Sequence, residues 1–136
     1  MITAVSYPIG WESDREESVP GRSLQVSLDR QVAVFLENGV EAQAAFVSSG
    51  RPEHETPTGT FTVLYRRRAP VSSSYMVRMP YWICIDPQGQ LGLHESSPEH
   101  LDKLGLPTSH GCIRLGRNTA CWAYEWLVDG SKVVVR

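Results

Sequence analysis

The sequence has few cysteines, no long apolar run and little excess charge, and each shortage excludes a class of protein. Three cysteines among 136 residues are a small and odd number, so the chain is not a domain built on a disulfide framework. No apolar segment approaches the roughly 20 residues that a helix needs to span a bilayer, so we expect no membrane span. A net charge of −2 supplies no field favouring nucleic acid, so we expect no nucleic-acid partner.

The N-terminus also lacks the features of a secretory signal peptide. Residues 1–8 (MITAVSYP) have neither a basic segment nor a sustained apolar one. Two interpretations stay open: the chain is trimmed, or it is exported by another route. Residues 1–21 are polar and contain too few apolar side chains to pack by themselves. We therefore expect an N-terminal arm over residues 1–21 and one domain over residues 22–136.

What the sequence does contain is a succession of short β-strand patterns. Residues 24–28 alternate apolar and polar side chains, the period of a half-buried strand. Asn38-Gly39 predicts a tight hairpin turn, because both positions tolerate a positive φ. Strands are predicted at residues 24–28, 32–36, 42–47, 60–65, 82–86, 91–94 and 132–136.

Only two helices are predicted between these strands. A short helix is expected to begin at Ser97-Pro98, with Ser97 as N-cap, and to end at Gly105. A longer one is expected to be capped by Asn118 and to run to about Val128. Many short strands with few helices predict a mainly β fold, a sandwich or a barrel.

The most informative segment is Ser109-His110-Gly111-Cys112-Ile113-Arg114-Leu115. A thiol is a weak nucleophile until a base or a positive field converts it to thiolate. Two histidines precede Cys112, His110 by two positions and His94 by 18, and the cation of Arg114 follows it by two positions. From the residues alone, a catalytic Cys112 and a buried structural cysteine are about equally supported. Cys84 and Cys121 lie in a strand pattern and a helix pattern, and both are expected to be free thiols.

This segment, with His94 upstream, resembles the signature of the L,D-transpeptidase catalytic domain, the YkuD-like family. The family pattern is a His, a gap, Ser or Thr, His-Gly-Cys, a branched apolar residue, and Arg or Asn. The likeness extends to Gly50 with Thr56-Pro57-Thr58-Gly59-Thr60-Phe61 and to Leu104-Gly105-Leu106-Pro107, and so covers residues 22–136. It implies a curved mixed β-sandwich or barrel. Glu95 departs from the pattern, because many members carry Gly or Ser after the first His.

The resemblance implies nucleophilic acyl transfer with four residues in the catalytic group. Cys112 is the nucleophile, and His94 takes its proton or holds it in a thiolate–imidazolium pair. The main-chain carbonyl of Glu95 is the implied orienting group for His94. His110 is structural or shapes the oxyanion site, while the N–H groups of Gly111 and Cys112 stabilise the oxyanion.

A second group of residues is assigned to substrate binding, namely Arg114, Ser109 and Glu95. Arg114 either braces the loop in an ion pair or holds a substrate carboxylate at two points. The run Arg66-Arg67-Arg68 is a solvated strand end or a platform for an anionic substrate, the former being favoured. Met79, Tyr81 and Trp82 are core residues or lie near the donor groove.

The implied substrates are peptidoglycan stem tetrapeptides. Cys112 would displace the terminal D-Ala and form a thioester at the third residue. An amine of a second stem would then give a 3→3 cross-link, a free D-amino acid would give exchange, and water would give L,D-carboxypeptidase activity. We expect no cofactor, no metal, covalent inhibition by carbapenem-type β-lactams, a monomeric chain and an extracytoplasmic location in the periplasm or cell wall.

Four other interpretations compete with this one. A papain-like protease is disfavoured, because its Cys precedes its His along the chain. A zinc site of His94, His110 and Cys112 has little support from the ligand spacing. A non-catalytic wall-binding module would be expected to lack some of the catalytic residues, all of which are present. An antibacterial effector of the same family is compatible with the small size.

Overall fold

The computed structural model describes residues 21–71 and 78–136, and its main feature is a curled sheet of nine strands. The strands are β1 (Arg22–Ser27), β2 (Val32–Glu37), β3 (Val40–Ser48), β4 (Gly59–Thr62), β5 (Tyr65–Arg67), β6 (Trp82–Cys84), β7 (Gly92–Glu95), β8 (Ile113–Leu115) and β9 (Lys132–Val135). Their order is β4-β9-β1-β2-β3-β8-β7-β6-β5, with β1/β9 and β7/β8 parallel and the other pairs antiparallel. The expected mainly β, mixed fold is confirmed.

The sheet curls because its two edge strands are neighbours along the chain. β4 and β5 lie at opposite ends of the strand order, yet only Val63 and Leu64 separate them. The Val63 N–H donates to the Ser131 carbonyl on one side, and the Leu64 N–H donates to the Cys84 carbonyl on the other. The single strand predicted over residues 60–65 is therefore wrong, since the chain changes partner in its middle.

The predicted hairpin at Asn38-Gly39 is present, with φ values of 50° and 82° that a two-residue turn of this kind requires. The strand that follows it, β3, has two neighbours. Most of it pairs with β2, and its last residues, Val47 and Ser48, pair with Leu115 and Arg114 of β8. The hairpin thereby fixes the position of β8.

A helix closes the core on one face of the sheet. α1 (Arg117–Trp126) buries Ala120 and Ala123 against the interior side chains of β1, β2 and β7. The ring of Phe35 meets Trp122 and Trp126 edge-on, with centroids 5.1 and 6.1 Å apart. Burying such side chains stabilises the fold by roughly 1.5–3 kcal/mol each.

The helix boundaries differ from the predicted ones. Gly116, and not Asn118, is the N-cap of α1, because the Ala120 N–H already donates to the Gly116 carbonyl. The short helix is a 3₁₀ helix over Pro98–Lys103, ending before Gly105. Ser97 is its N-cap residue, but the Ser97 hydroxyl contacts His100 Nδ1 at 2.7 Å and caps no backbone N–H.

Two further sequence expectations concern the chain ends and the bilayer. The proposed arm over residues 1–21 lies outside the described residues, except for Gly21. Within residues 21–71 and 78–136, no helix has the length and the apolar character that a bilayer crossing requires.

Candidate active site

The parallel pair β7/β8 brings the candidate residues together. His94 lies opposite Arg114 in the register of the two strands, and Cys112 immediately precedes β8, two residues before Arg114. All three side chains line one cavity of about 440 Å³, together with Trp82. One strand pairing thus joins two sequence segments that are distant along the chain.

The orientation of His94 is set by its neighbour in the chain. His94 is 8% exposed, and its Nδ1 lies 2.9 Å from the main-chain oxygen of Glu95. A carbonyl oxygen accepts hydrogen bonds only, so Nδ1 carries the proton and Nε2 keeps its lone pair. The contact is the one that the family resemblance implies. It leaves His94 with a basic nitrogen that is not tied to Glu95.

Burial keeps both the imidazole and the thiol neutral. It lowers the pKa of His94 to about 4, against the opposing effect of the Glu95 carbonyl and with a further lowering by Arg114. Burial also raises the pKa of Cys112 to about 11, although the backbone amide of Gly92 opposes this rise. At neutral pH the pair is therefore a thiol and a neutral imidazole.

The three cysteines lie in different environments. The half-buried Cys112 thiol donates to the main-chain oxygen of Gln90 at 3.4 Å, a contact that the sequence did not suggest. Cys84 is buried on β6 and Cys121 is exposed on α1. All three are free, which confirms the expectation for Cys84 and Cys121.

The loop that carries Cys112 is held by buried hydroxyl groups. Ser109 is buried, and its hydroxyl donates to the Cys112 carbonyl at 2.5 Å and accepts from the Gly111 N–H at 3.1 Å. Thr56 donates to the Gly111 carbonyl at 2.5 Å and accepts from the Gly50 N–H at 2.9 Å. Gly111 has φ 136°, a backbone conformation that favours glycine. The hydroxyls of Ser109 and Thr56 together fix this conformation.

Gly50 and Thr56 belong to a segment that resembles the family motif, but the sequence assigns no role to either residue. A Cβ added to Gly50 would lie 1.8 Å from the carbonyl oxygen of His54, so no larger residue fits there. The pattern of a glycine followed six residues later by a threonine was the available signal. Sequence spacing alone does not show that the threonine reaches Gly111, 55 positions away.

The remaining predicted site residues are placed as follows. Arg114 is buried, and it donates to the Thr108 hydroxyl at 3.4 Å. The Glu95 carboxylate pairs with Arg117, at 3.6 Å. His110 lines the same cavity as Cys112, and its exposed ring lies edge-on to His54, with centroids 5.9 Å apart.

The zinc interpretation finds no ligand set in the described part of the chain. No group of three or more His, Cys, Asp or Glu side chains is arranged there to hold a metal ion.

Comparison with known proteins identifies the family of this chain. The family model described as YkuD, L,D-transpeptidase catalytic domain, matches residues 21–135. "Probable L,D-transpeptidase 3" of Mycobacterium tuberculosis is 38% identical in an alignment 113 residues long that covers 75% of this chain and 40% of that protein. The chain therefore spans less than half the length of that curated relative.

Solved structures share the fold at similar levels of identity. An L,D-transpeptidase from Mycobacterium tuberculosis H37Rv has a TM-score of 0.78 and 32% identity, covering 86% of this chain and 58% of the other. L,D-transpeptidase 3 from Mycobacterium tuberculosis with a faropenem-derived adduct has a TM-score of 0.74 and 29% identity, covering 86% and 60%. The expected YkuD-like architecture is confirmed, and the chain belongs to the YkuD family of L,D-transpeptidase catalytic domains.

Proposed function

We propose that this chain is a cysteine acyltransferase that takes its acyl group from the third residue of a peptidoglycan stem tetrapeptide. Residues 22–136 form the catalytic domain in this proposal. The observation that carries it is the placement of His94, Cys112 and Arg114 on one cavity, with the Glu95 carbonyl holding His94 Nδ1. A wall-binding module without activity has no use for an imidazole oriented in this way.

In the first half-reaction Cys112 becomes acylated. His94 Nε2 accepts the thiol proton while Sγ bonds to the carbonyl carbon of the third residue, and the carbonyl oxygen becomes an oxyanion. The Gly111 N–H already donates to Ser109. We therefore assign the main oxyanion donor to the Cys112 N–H. Collapse of the intermediate breaks the peptide bond, and His94 returns the proton to the departing amine of D-Ala.

In the second half-reaction the thioester is consumed. An amine of a second stem attacks the thioester carbonyl, His94 takes a proton from that amine, and the sulfur leaves and is reprotonated. A cross-link forms when the amine belongs to a stem side chain, and exchange occurs when it belongs to a free D-amino acid. Water as acceptor gives L,D-carboxypeptidase activity through the same intermediate. No cofactor takes part in these steps.

The buried guanidinium of Arg114 has a place in this scheme. It lies on the wall of the cavity, and the described residues offer it the Thr108 hydroxyl but no ion pair with a carboxylate. A buried cation is stabilised by a charged partner. We assign a carboxylate of the donor peptide as the partner of the Arg114 guanidinium. Glu95 and Ser109 shape the cavity wall. Because the proposed substrate is peptidoglycan, the proposal includes an extracytoplasmic location, in the periplasm or cell wall.

The test is digestion of purified muropeptides followed by mass spectrometry. Tetrapeptide monomers are expected to lose D-Ala and to appear as 3→3 dimers, exchanged tetrapeptides or tripeptides, according to the acceptor. Cys112→Ser is expected to abolish all three products with an unchanged far-UV spectrum. Turnover by that variant would refute the assignment of the nucleophile.

Covalent labelling gives an independent check on the same sulfur. The relative with a faropenem-derived adduct supports the expectation that penem and carbapenem β-lactams acylate Cys112. Intact mass should show one adduct in the wild type, Cys84→Ser and Cys121→Ser, and none in Cys112→Ser.

A further inference from the structure

The cavity is locally cationic on a chain whose net charge is −2. Three arginines line it, Arg67, Arg78 and Arg114, together with two acidic residues, Glu95 and Glu99. Because Glu95 pairs with Arg117, one of the two carboxylates is already neutralised. The cavity therefore offers more positive charge than one substrate carboxylate needs.

The arginine run of β5 is divided between two sides of the strand. Arg66 pairs with Asp129 at 3.1 Å and donates to the Tyr124 carbonyl at 2.7 Å. Arg67, the next residue, lines the cavity, with its guanidinium 5.0 Å from the centre of the Tyr65 ring. Side chains alternate along a strand, and this alternation sends the two neighbours to different surroundings. Arg66 is held by structural contacts, whereas Arg67 has no ion pair with a carboxylate in the described part of the chain.

Arg78 lines the same cavity and belongs to another part of the chain. It pairs with Val71 across an antiparallel bridge, and the Met79 N–H donates to the Pro70 carbonyl at 2.9 Å. Nearby, the Tyr81 N–H donates to the Arg68 carbonyl at 2.6 Å. These bonds hold residue 78 beside the segment that leaves β5. Arg67 and Arg78 are thus exposed residues that line the same cavity as the buried Arg114.

We propose that Arg67 and Arg78 form a second carboxylate subsite, separate from Arg114, which selects donor peptides with a free carboxylate over the corresponding carboxamide. The inference rests on the proposed function, since it specifies which donor that function uses. A guanidinium binds a carboxylate through charge-assisted, two-point hydrogen bonds, and a neutral carboxamide loses the charge and one acceptor. The two residues determine specificity and take no part in the chemistry.

The test compares two tetrapeptides that differ only in one carboxylate replaced by a carboxamide. For the wild type, KM is expected to be about tenfold lower for the acid than for the amide, while kcat is similar. A tenfold ratio in KM is the effect expected from one charge-assisted contact. In the double variant Arg67→Gln, Arg78→Gln the acid and the amide should differ by less than about threefold. Arg66→Gln is the matched control and should keep the full preference, even if its Tm falls.

A second measurement separates this proposal from the proposed function. Calorimetric binding of both peptides to Cys112→Ala requires no turnover. A preference for the acid there, lost with Arg67→Gln and Arg78→Gln, supports the subsite even if no peptide is turned over. Turnover with equal KM for acid and amide overturns the subsite and leaves the function standing. An equal loss for acid and amide in the double variant also overturns it, because that result indicates altered packing.

Discussion

The imidazole of His94 and the main-chain carbonyl of Glu95 form a 2.9 Å hydrogen bond between adjacent residues. The orienting group of the proposed base is thus part of the backbone and does not depend on the side chain at position 95. Glu95 is therefore compatible with a family whose members often carry a small residue there. The Glu95 side chain instead pairs with Arg117 near the start of α1.

Replacement of His94 should impair the chemical step, whereas replacement of Glu95 should not. We expect His94→Ala to lower kcat by roughly 10²–10⁴, the range for loss of general acid–base catalysis. Glu95→Gln keeps the main-chain carbonyl and is the matched control, with kcat within a few-fold of wild type. Steady-state release of D-Ala from a tetrapeptide measures kcat of both variants. A His94→Ala enzyme with near-normal kcat would transfer the base role to His110.

The thiol of Cys112 should be protonated at neutral pH. Its pKa is raised to about 11, mainly by burial, so alkylation by iodoacetamide should be slow at pH 7 and should still be accelerating above pH 9. Cys121→Ser is the background of choice, because Cys121 is exposed and would react first. Peptide mapping separates Cys112 from buried Cys84. A rate that already reaches its plateau at neutral pH would instead indicate a preformed thiolate–imidazolium pair.

Buried His94 should make the fold sensitive to acid. Its pKa is about 4 in the folded state and about 6.5 in an unfolded chain, so the unfolded state binds more protons between these values. The neutral His94 ring contributes about 3 kcal/mol to the free energy of unfolding. This contribution is complete above pH 6.5 and is lost as the pH falls to 4.

Urea unfolding at pH 7 and at pH 4 measures this contribution. His94→Gln should reduce the difference in unfolding free energy between the two pH values by about 3 kcal/mol. An unchanged difference in that variant would mean that other groups carry the acid sensitivity.

Local patterns predicted the parts of the fold that depend on local interactions. Asn38-Gly39 predicted the hairpin correctly, because a two-residue turn of this kind needs two residues that tolerate positive φ. β8 was not predicted, because three residues are too few to show an alternating pattern. The start of α1 was misplaced because Gly116 serves as its cap through its backbone conformation, and Asn118 was the stronger side-chain signal.

The candidate site shows the same division. The motif gave Cys112 and His94, but their shared cavity depends on a parallel strand pair that no local pattern reveals. The run of three arginines looked uniform in sequence. Only the tertiary structure separates Arg66, which pairs with Asp129, from Arg67, which lines the cavity.

Ser109 is a positioning residue by its contacts, since its buried hydroxyl joins the Cys112 carbonyl to the Gly111 N–H. Ser109→Ala leaves the Gly111 N–H without this acceptor, and we expect a loss of about 1–3 kcal/mol in unfolding free energy. A displacement of Cys112 by about 1 Å would lower kcat roughly 10²-fold with a smaller change in KM. Ser109→Thr keeps the hydroxyl and should recover most of kcat. If Ser109→Ala instead raised KM alone, with kcat and Tm unchanged, its hydroxyl would act on the substrate and not on the loop.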